Sequence, residues 1–353
     1  MDDRERIGLA FDLARGARGS TLPNPAVGAI VWSRDGKRVS EATTSPTGRP
    51  HAEKAALGKA GARAEGGCMA VTLEPCVAFP GKKSPPCAAA VILSGLERVV
   101  VGCLDPNPQV RGKGVHALRR AGIQVDVLDP EGSIEDFYAG FGTFLATGRP
   151  RVTLKIAMSA DGMASAADGE RSEITGEESR RFVHGLRAAS DAILVGGRTV
   201  AIDDPRLDVR VIRGPSPRPL VLSGRTELPG HRFLWSNPAT TVLGPSRPAS
   251  LPGKVRFAEV RGRDGRPQLS ACLDWCGEQG IHDLMVEPGP GLLDAFLDAG
   301  LWDRLWVLRS PARLGRGVPF DPHSRLPRTD PVRTIRLGVD EGALWERVPS
   351  PEA

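Results

Sequence analysis

Between residues 26 and 128 the chain switches repeatedly between short apolar runs and stretches of good helix formers, and few architectures accommodate that alternation. AVGAIVW at 26–32, MAVTLE at 69–74, RVVVGC at 98–103 and IQVDVL at 123–128 have the length and composition of buried strands. Between them, HAEKAALGKAGARA at 51–64, PCAAAVILSG at 86–95 and GVHALRRAG at 114–122 read as helices. Pro86 suits a first helical turn and Gly122 a helix end. Residues 4–18 place Ile7, Phe11 and Ala14 near helical spacing, and SRDGK after the first strand reads as a turn. The expectation is an α/β layer.

A helical stretch at 131–150 ends on Gly148 and Pro150, and a new strand pattern, RVTLKIAMS, begins at 151. The chain has 353 residues, more than one typical core holds. The spacing predicts two domains, 1–148 and 149–353. The second alternates again, with strands at 151–159, 192–197, 218–223, 283–287 and 304–308, and helices at 177–189, 270–279 and 290–299. Pro- and Gly-rich connections between 213 and 254 read as exposed loops.

Charge narrows the function classes. The formal net charge is +5, but the arginines are scattered and form no basic block. That pattern suits a phosphorylated small molecule better than a nucleic acid. A single tyrosine leaves little for a base-stacking platform. No apolar run reaches the ~18–20 residues that cross a bilayer, and the start of the chain has no secretory h-region. Six cysteines in a chain of this size do not make a disulfide scaffold, so the expectation is a cytoplasmic protein with reduced thiols.

One constellation points to chemistry. His51-Ala-Glu53 precedes Glu74-Pro75-Cys76, and ten residues later comes Pro86-Cys87. Imidazole and thiolates suit zinc, and three protein ligands leave a fourth position for water. His51 and Cys87 each begin a predicted helix and Cys76 follows a strand, so the three can converge at one end of the sheet. Glu53 would stand beside the metal without binding it, placed to move a proton from water to a leaving amine. Zinc deaminases carry H-x-E followed by P-C-x-x-C, and here the second spacing is longer. The competing reading makes Cys76 and Cys87 unrelated loop thiols and His51 a helix cap. Cys68 and Cys103 lie in apolar strands and read as core. Cys272 and Cys276 are four apart on a predicted helix, with no further ligand evident, and read as structural.

Over nearly its whole length the chain resembles the bifunctional riboflavin-biosynthesis deaminase/reductase family, RibD. The signposts are PNPAVGAIV (23–31), GRPHAEKAAL (48–57), TLEPC (72–76), PPC (85–87), DPNP (105–108), TLKIAMSADG (153–162), SDAILVGGRTVAIDDPRLDVR (190–210) and VEPGPGLLDAFLDAGL (286–301). The resemblance implies an N-terminal cytidine-deaminase-like domain followed by a C-terminal dihydrofolate-reductase-like domain. It implies zinc in the first and NADPH in the second. The first would deaminate 2,5-diamino-6-(5-phosphoribosylamino)pyrimidin-4-one, and the second would reduce the ribosyl group to ribityl. A homo-oligomer formed through the reductase domain is also implied, with no nucleic-acid or membrane partner.

The resemblance carries roles onto matching positions. His51, Cys76 and Cys87 correspond to metal ligands and Glu53 to the catalytic carboxylate. Asn24 and Lys83 match deaminase substrate contacts. In the second domain Lys155 matches a catalytic position, where it could bind sugar hydroxyls or shuttle a proton. Arg187, Leu207, Arg210 and Glu287 match substrate contacts, and arginine pairs well with phosphate. Ala157, Thr199, Asp203, Ser223 and the loop Gly289, Pro290, Gly291, Leu292, Leu293, Asp294 and Ala295 match NADPH contacts. That glycine turn fails the dinucleotide fingerprint, because Asp294 stands at its third position.

Three departures stand out. The Cys76–Cys87 loop is longer than usual and lacks a histidine found after the first cysteine in relatives. Arg171 and Glu173 replace a serine and a tryptophan that meet the substrate, and Arg171 offers a new phosphate contact. Pro288 and Gly291 stand where small residues and threonine are more usual. These differences keep open a diverged paralogue with a working deaminase and a re-targeted reductase. A nucleic-acid base deaminase would want stacking aromatics, and the loop offers only Phe79 with Lys82 and Lys83. A zinc-stabilised binding module would want a fourth protein ligand.

Overall fold

The computed structural model describes residues 1–82, 84–166, 174–321, 326 and 330–347, apart from the side chain at position 47. The chain divides into two compact units, Met1–Gly148 and Arg149–Ala353.

The first unit contains helices α1 (Asp3–Gly16), α2 (Ala52–Ala60), α3 (Cys87–Leu93), α4 (Lys113–Arg120) and α5 (Ser133–Thr147). Its strands are β1 (Gly28–Trp32), β2 (Arg38–Thr43), β3 (Cys68–Leu73), β4 (Arg98–Cys103) and β5 (Gln124–Val127), in the order β2-β1-β3-β4-β5. β1 runs antiparallel to both neighbours, whereas β3, β4 and β5 are parallel. Every residue of β1 and β3 is buried, so both faces of the sheet centre are covered. α1 starts with a capping box, Asp2 and Glu5 bonding each other's backbone N–H. It packs so closely on β1 that a Cβ on Gly28 would lie 2.0 Å from the carbonyl oxygen of Ala10.

In the second unit the helices are α6 (Glu177–Ala188), α7 (Gly197–Asp203), α8 (Leu269–Glu278) and α9 (Pro290–Asp298). The long strands are β6 (Arg151–Met158), β8 (Ala192–Gly196), β9 (Arg218–Leu222), β10 (Thr241–Gly244), β11 (Arg256–Glu259), β14 (Asp283–Val286), β15 (Arg304–Arg309), β17 (Arg333–Leu337) and β18 (Asp340–Glu346). They form one sheet in the order β11-β10-β9-β8-β14-β6-β15-β18-β17. All its pairs are parallel except β15–β18 and β18–β17. Two small ribbons pair β7 (Met163–Ala166) with β16 (Gly317–Pro319) and β12 (Gly262–Arg263) with β13 (Arg266–Pro267).

The connections between 213 and 254 correct the exposed-loop expectation. They contain β10, buried throughout, and contribute Leu228, Leu234, Trp235 and Leu251 to the core. Their prolines and glycines punctuate short buried pieces that are too brief to show a period. The α/β expectation stands, and the periodicity also missed α7, the ribbons and the edge pair β17–β18. Cys68 and Cys103 lie in the first core, and Cys272 and Cys276 are buried in α8. No described helix is long and apolar enough to cross a membrane.

Candidate active sites

In the first unit, three short-range devices bring the predicted ligands together. Pro50 precedes His51, which is the N-cap of α2. Pro86 is the N-cap of α3, so Cys87 occupies its first position. Cys76 follows the end of β3 by three residues. The imidazole Nδ1 of His51 lies 3.7 Å from Cys76 Sγ and 3.4 Å from Cys87 Sγ. All three ligand atoms fall within 4.8 Å of one another. Tetrahedral zinc with bonds of ~2.0–2.3 Å has nitrogen–sulfur edges near ~3.5 Å, so the set fits that ion. No other cluster of this kind occurs among the described residues.

The electrostatics suit a cation site. The Cys87 thiol hydrogen-bonds Cys76 and holds it as a thiolate, with a pKa of about 3. Cys87 is pushed up by that same bond, then by burial. Its backbone N–H also points at Cys76 Sγ, 3.4 Å away. Glu53, one residue into α2, is 3% exposed. Burial, aided by the Cys76 charge, raises it to about 7.

A cavity of about 170 Å³ opens over these groups. Asn24, His51, Glu53 and Cys76 line it, together with Lys82 and Asp105. Asn24 is anchored, its Nδ2 donating to Gly48 O at 2.9 Å. Lys83 lies outside the described residues. Its neighbour Lys82 reaches the cavity, with Nζ 5.3 Å from the Phe79 ring centre. Burial raises Asp105 to about 6.

Sequence reasoning passed over Glu74. Its buried carboxylate accepts from three backbone N–H groups: Asp105 at 3.2 Å, Gly112 at 2.8 Å and Val115 at 2.9 Å. It thereby ties the 105–115 segment to the strand end that carries Cys76.

The second cavity, about 370 Å³, lies at the carboxyl ends of β6, β8 and β14, where the strand order reverses around β14. Lys155, Ala157, Arg187, Thr199, Asp203, Leu207, Arg210, Glu287, Gly289, Pro290 and Leu293 line it, all expected from the sequence. Arg187 grips Glu287 through two bonds, Nε–Oε1 at 2.7 Å and Nη2–Oε2 at 3.0 Å. Burial pushes Glu287 up, but the Arg187 and Lys155 charges prevail and hold it below the usual range. Burial lowers Lys155 while Glu287 opposes the shift. Arg210 pairs with Asp208.

Other expected residues are placed elsewhere. Ser223 is buried and donates to Leu243 O at 3.1 Å, away from the cavity lining. Gly291, Leu292, Asp294 and Ala295 lie within α9 and do not line the cavity either. Arg171 and Glu173 lie outside the described residues. The cavity also includes Arg180 and His184, which had no role in the sequence reading. Both share with Arg187 one face of α6, at spacings of four and three.

Comparison with known proteins agrees with both halves. Residues 1–103 match the cytidine and deoxycytidylate deaminase zinc-binding region, and residues 150–340 match the RibD C-terminal domain. The riboflavin biosynthesis protein RibD of Aquifex aeolicus is 39% identical over 90% of this chain and 89% of its own. That of Escherichia coli is 37% identical over 89% of each chain. The solved Acinetobacter baumannii RibD is 34% identical, with a TM-score of 0.77 over 98% of this chain and 99% of its own. A Thermotoga maritima structure described as a diaminohydroxyphosphoribosylaminopyrimidine deaminase/5-amino-6-(5-phosphoribosylamino)uracil reductase is 30% identical, with a TM-score of 0.78 over 98% of each chain. The chain therefore belongs to the RibD family, as a bifunctional enzyme of riboflavin biosynthesis with a zinc-binding deaminase domain and a reductase domain that uses NADPH.

Proposed function

We propose that the first cavity deaminates 2,5-diamino-6-(5-phosphoribosylamino)pyrimidin-4-one and the second reduces the ribosyl group of the product. The convergence of His51, Cys76 and Cys87 beside buried Glu53 carries the deaminase half. His51 Nδ1 and the two cysteine sulfurs would hold zinc, which would supply the Lewis acidity that makes water a nucleophile near neutral pH. Glu53 takes the attacking water's proton and delivers it to the leaving amine, so that ammonia departs and a carbonyl remains. Its burial beside the metal ligands keeps the proton on its short path between water and amine. Asn24 orients the pyrimidine, and Lys83 is assigned to substrate binding by its match to the family.

In the second cavity bound NADPH would supply the hydride that reduces the sugar carbon. Thr199, Asp203, Ala157 and the Gly289–Leu293 turn support the cofactor, the turn offering N–H groups at the start of α9. Lys155 hydrogen-bonds the sugar hydroxyls and supplies the proton that completes reduction. Glu287 aligns Arg187, while Arg210 and Arg187 attract the phosphate. Leu207 closes the apolar side, and Arg171 adds a phosphate contact. Ser223, Gly291, Leu292, Asp294 and Ala295 match NADPH contacts of the family and are assigned to the cofactor on that match, although they lie outside the cavity lining. The enzyme works with reduced thiols in the cytoplasm, a reading supported by six buried free cysteines. It assembles through the reductase unit, which sedimentation of the full chain tests.

Mass spectrometry of the diaminopyrimidine substrate, incubated with zinc-loaded protein, tests both steps. Amine should be exchanged for oxygen without NADPH, and two hydrogens added only with it. Failure of the first change would remove the deaminase assignment. Deamination with NADPH never consumed would remove the reductase assignment and leave a deaminase with a diverged second domain.

A further inference from the structure

His184 sits on α6 three residues before Arg187 and bonds the backbone of Arg210, two arginines that the reductase reading gives to the substrate. It is 2% exposed, yet it lines the second cavity. Its Nδ1 accepts the backbone N–H of Arg210 at 3.2 Å. One turn further along α6, Arg187 Nη1 donates to the carbonyl oxygen of Asp208 at 3.0 Å. Helix α6 thus holds the 207–210 segment by two bonds of opposite polarity. That segment needs holding. Leu207 adopts φ 53°, a left-handed conformation that a branched side chain disfavours, and is nevertheless 1% exposed.

We propose that His184 is a positioning residue of the reductase, whose neutral Nδ1 fixes the Arg210 backbone and so aims the Arg210 guanidinium at the substrate phosphate. The inference rests on the reductase reading above. It assigns a tautomer as well, because an Nδ1 that accepts from Arg210 leaves the proton on Nε2. A protonated ring loses that acceptor and adds a third cation beside two guanidinium groups. Arg187 on α6 and Arg210 on the stapled segment oppose the charge, whereas Asp208 and Glu287 favour it. Lys155 is a further cation in the same cavity. Burial first, then the two arginines, keep His184 below the ordinary histidine range. Reduction should therefore weaken on the acid side through a rise in KM for the phosphorylated substrate, as the staple opens.

The test compares full-length zinc-loaded wild type with His184→Asn, His184→Gln and His184→Ala. Asparagine places its oxygen near the Nδ1 position and does not titrate. Glutamine places its amide near Nε2 instead. KM and kcat for NADPH-dependent reduction are measured from acid to neutral pH on the deaminated substrate. The expected result is a KM raised ~10-fold in H184A and H184Q, with kcat changed less. H184N should approach wild-type KM at neutral pH and lose the acid-side rise. Hydrogen exchange of the 207–211 peptide is followed in parallel, and should quicken in H184A and H184Q but not in H184N. Equal KM and exchange in wild type and H184A would overturn the proposal, as would an H184N protein that behaves like H184A. Should H184A fail to fold, the pH profile of H184N decides. A wild type without NADPH-dependent reduction would sink the functional reading instead, and the exchange comparison would still decide whether the staple exists.

Discussion

Arg187 and Glu287, one hundred residues apart, meet in a two-pronged ion pair that joins α6 to the end of β14. Their side chains are 11% and 19% exposed, so the pair is largely withdrawn from water. Removing one partner leaves the other charge buried and uncompensated. Glu287→Ala is expected to destabilise the second unit by ~3–5 kcal/mol and to abolish reduction. Urea unfolding followed by tryptophan fluorescence, with deamination assayed on the same sample, checks it.

The same pair sets a pH dependence. Glu287 is depressed in the folded chain, so the proton binds the unfolded chain more readily. Its stabilisation is complete above the unfolded glutamate value of ~4.3 and fades as pH falls through the lower folded value. Wild type should lose stability across that acid window, with Glu287→Gln losing less. Thermal melts of the two proteins at a series of acid pH values measure the difference.

Glu53→Gln keeps size and burial but cannot carry the proton. Zinc content should be unchanged and deamination should fall by at least ~10²-fold. Reduction of a pre-deaminated substrate should persist. Metal analysis with both assays checks this, and retained deamination would refute the proton-transfer role.

Glu74→Ala would orphan the amides of Asp105, Gly112 and Val115 together. Each buried unsatisfied amide costs ~1–3 kcal/mol, so the first unit should melt far earlier and release zinc faster to a chromophoric chelator. Glu74→Gln should fall between, since its amide offers one acceptor oxygen where the carboxylate offers two.

Arg180 lines the reductase cavity from the first turn of α6, and among the described residues no carboxylate pairs with it. Arg180→Ala should raise KM for the phosphorylated substrate by ~10-fold or less, about 1.4 kcal/mol. Steady-state kinetics at two salt concentrations tests it, because the difference between wild type and variant should shrink as salt screens the charge.

The contrast between His51 and Glu74 shows what the sequence could reveal. His51, Glu53, Cys76 and Cys87 each sit at a helix start or strand end, marked by prolines, and their chemistry is rare enough to stand out. Glu74 and His184 act on backbone amides up to 41 residues away, and an amide carries no signature in the sequence. Only the fold tells a carboxylate that holds a loop from one that faces water. Ser223 adds a partner the sequence does not show: its hydroxyl donates to the Leu243 carbonyl beside it. β10 was hidden for a simpler reason, since four buried residues between prolines show no alternation.

The position of β14 has a consequence for biosynthesis. This strand, residues 283–286, separates β6 from β8, which leave the ribosome far earlier. Until it arrives, both neighbours have a bare edge whose unpaired N–H and C=O groups can capture any other extended segment. All five strands of the first unit, by contrast, are made by residue 127. A nascent chain can thus carry a finished deaminase sheet while the reductase still lacks its middle. A premature stop before residue 283 would leave an aggregation-prone gap at the centre of that sheet, where a stop late in the chain would trim only its rim.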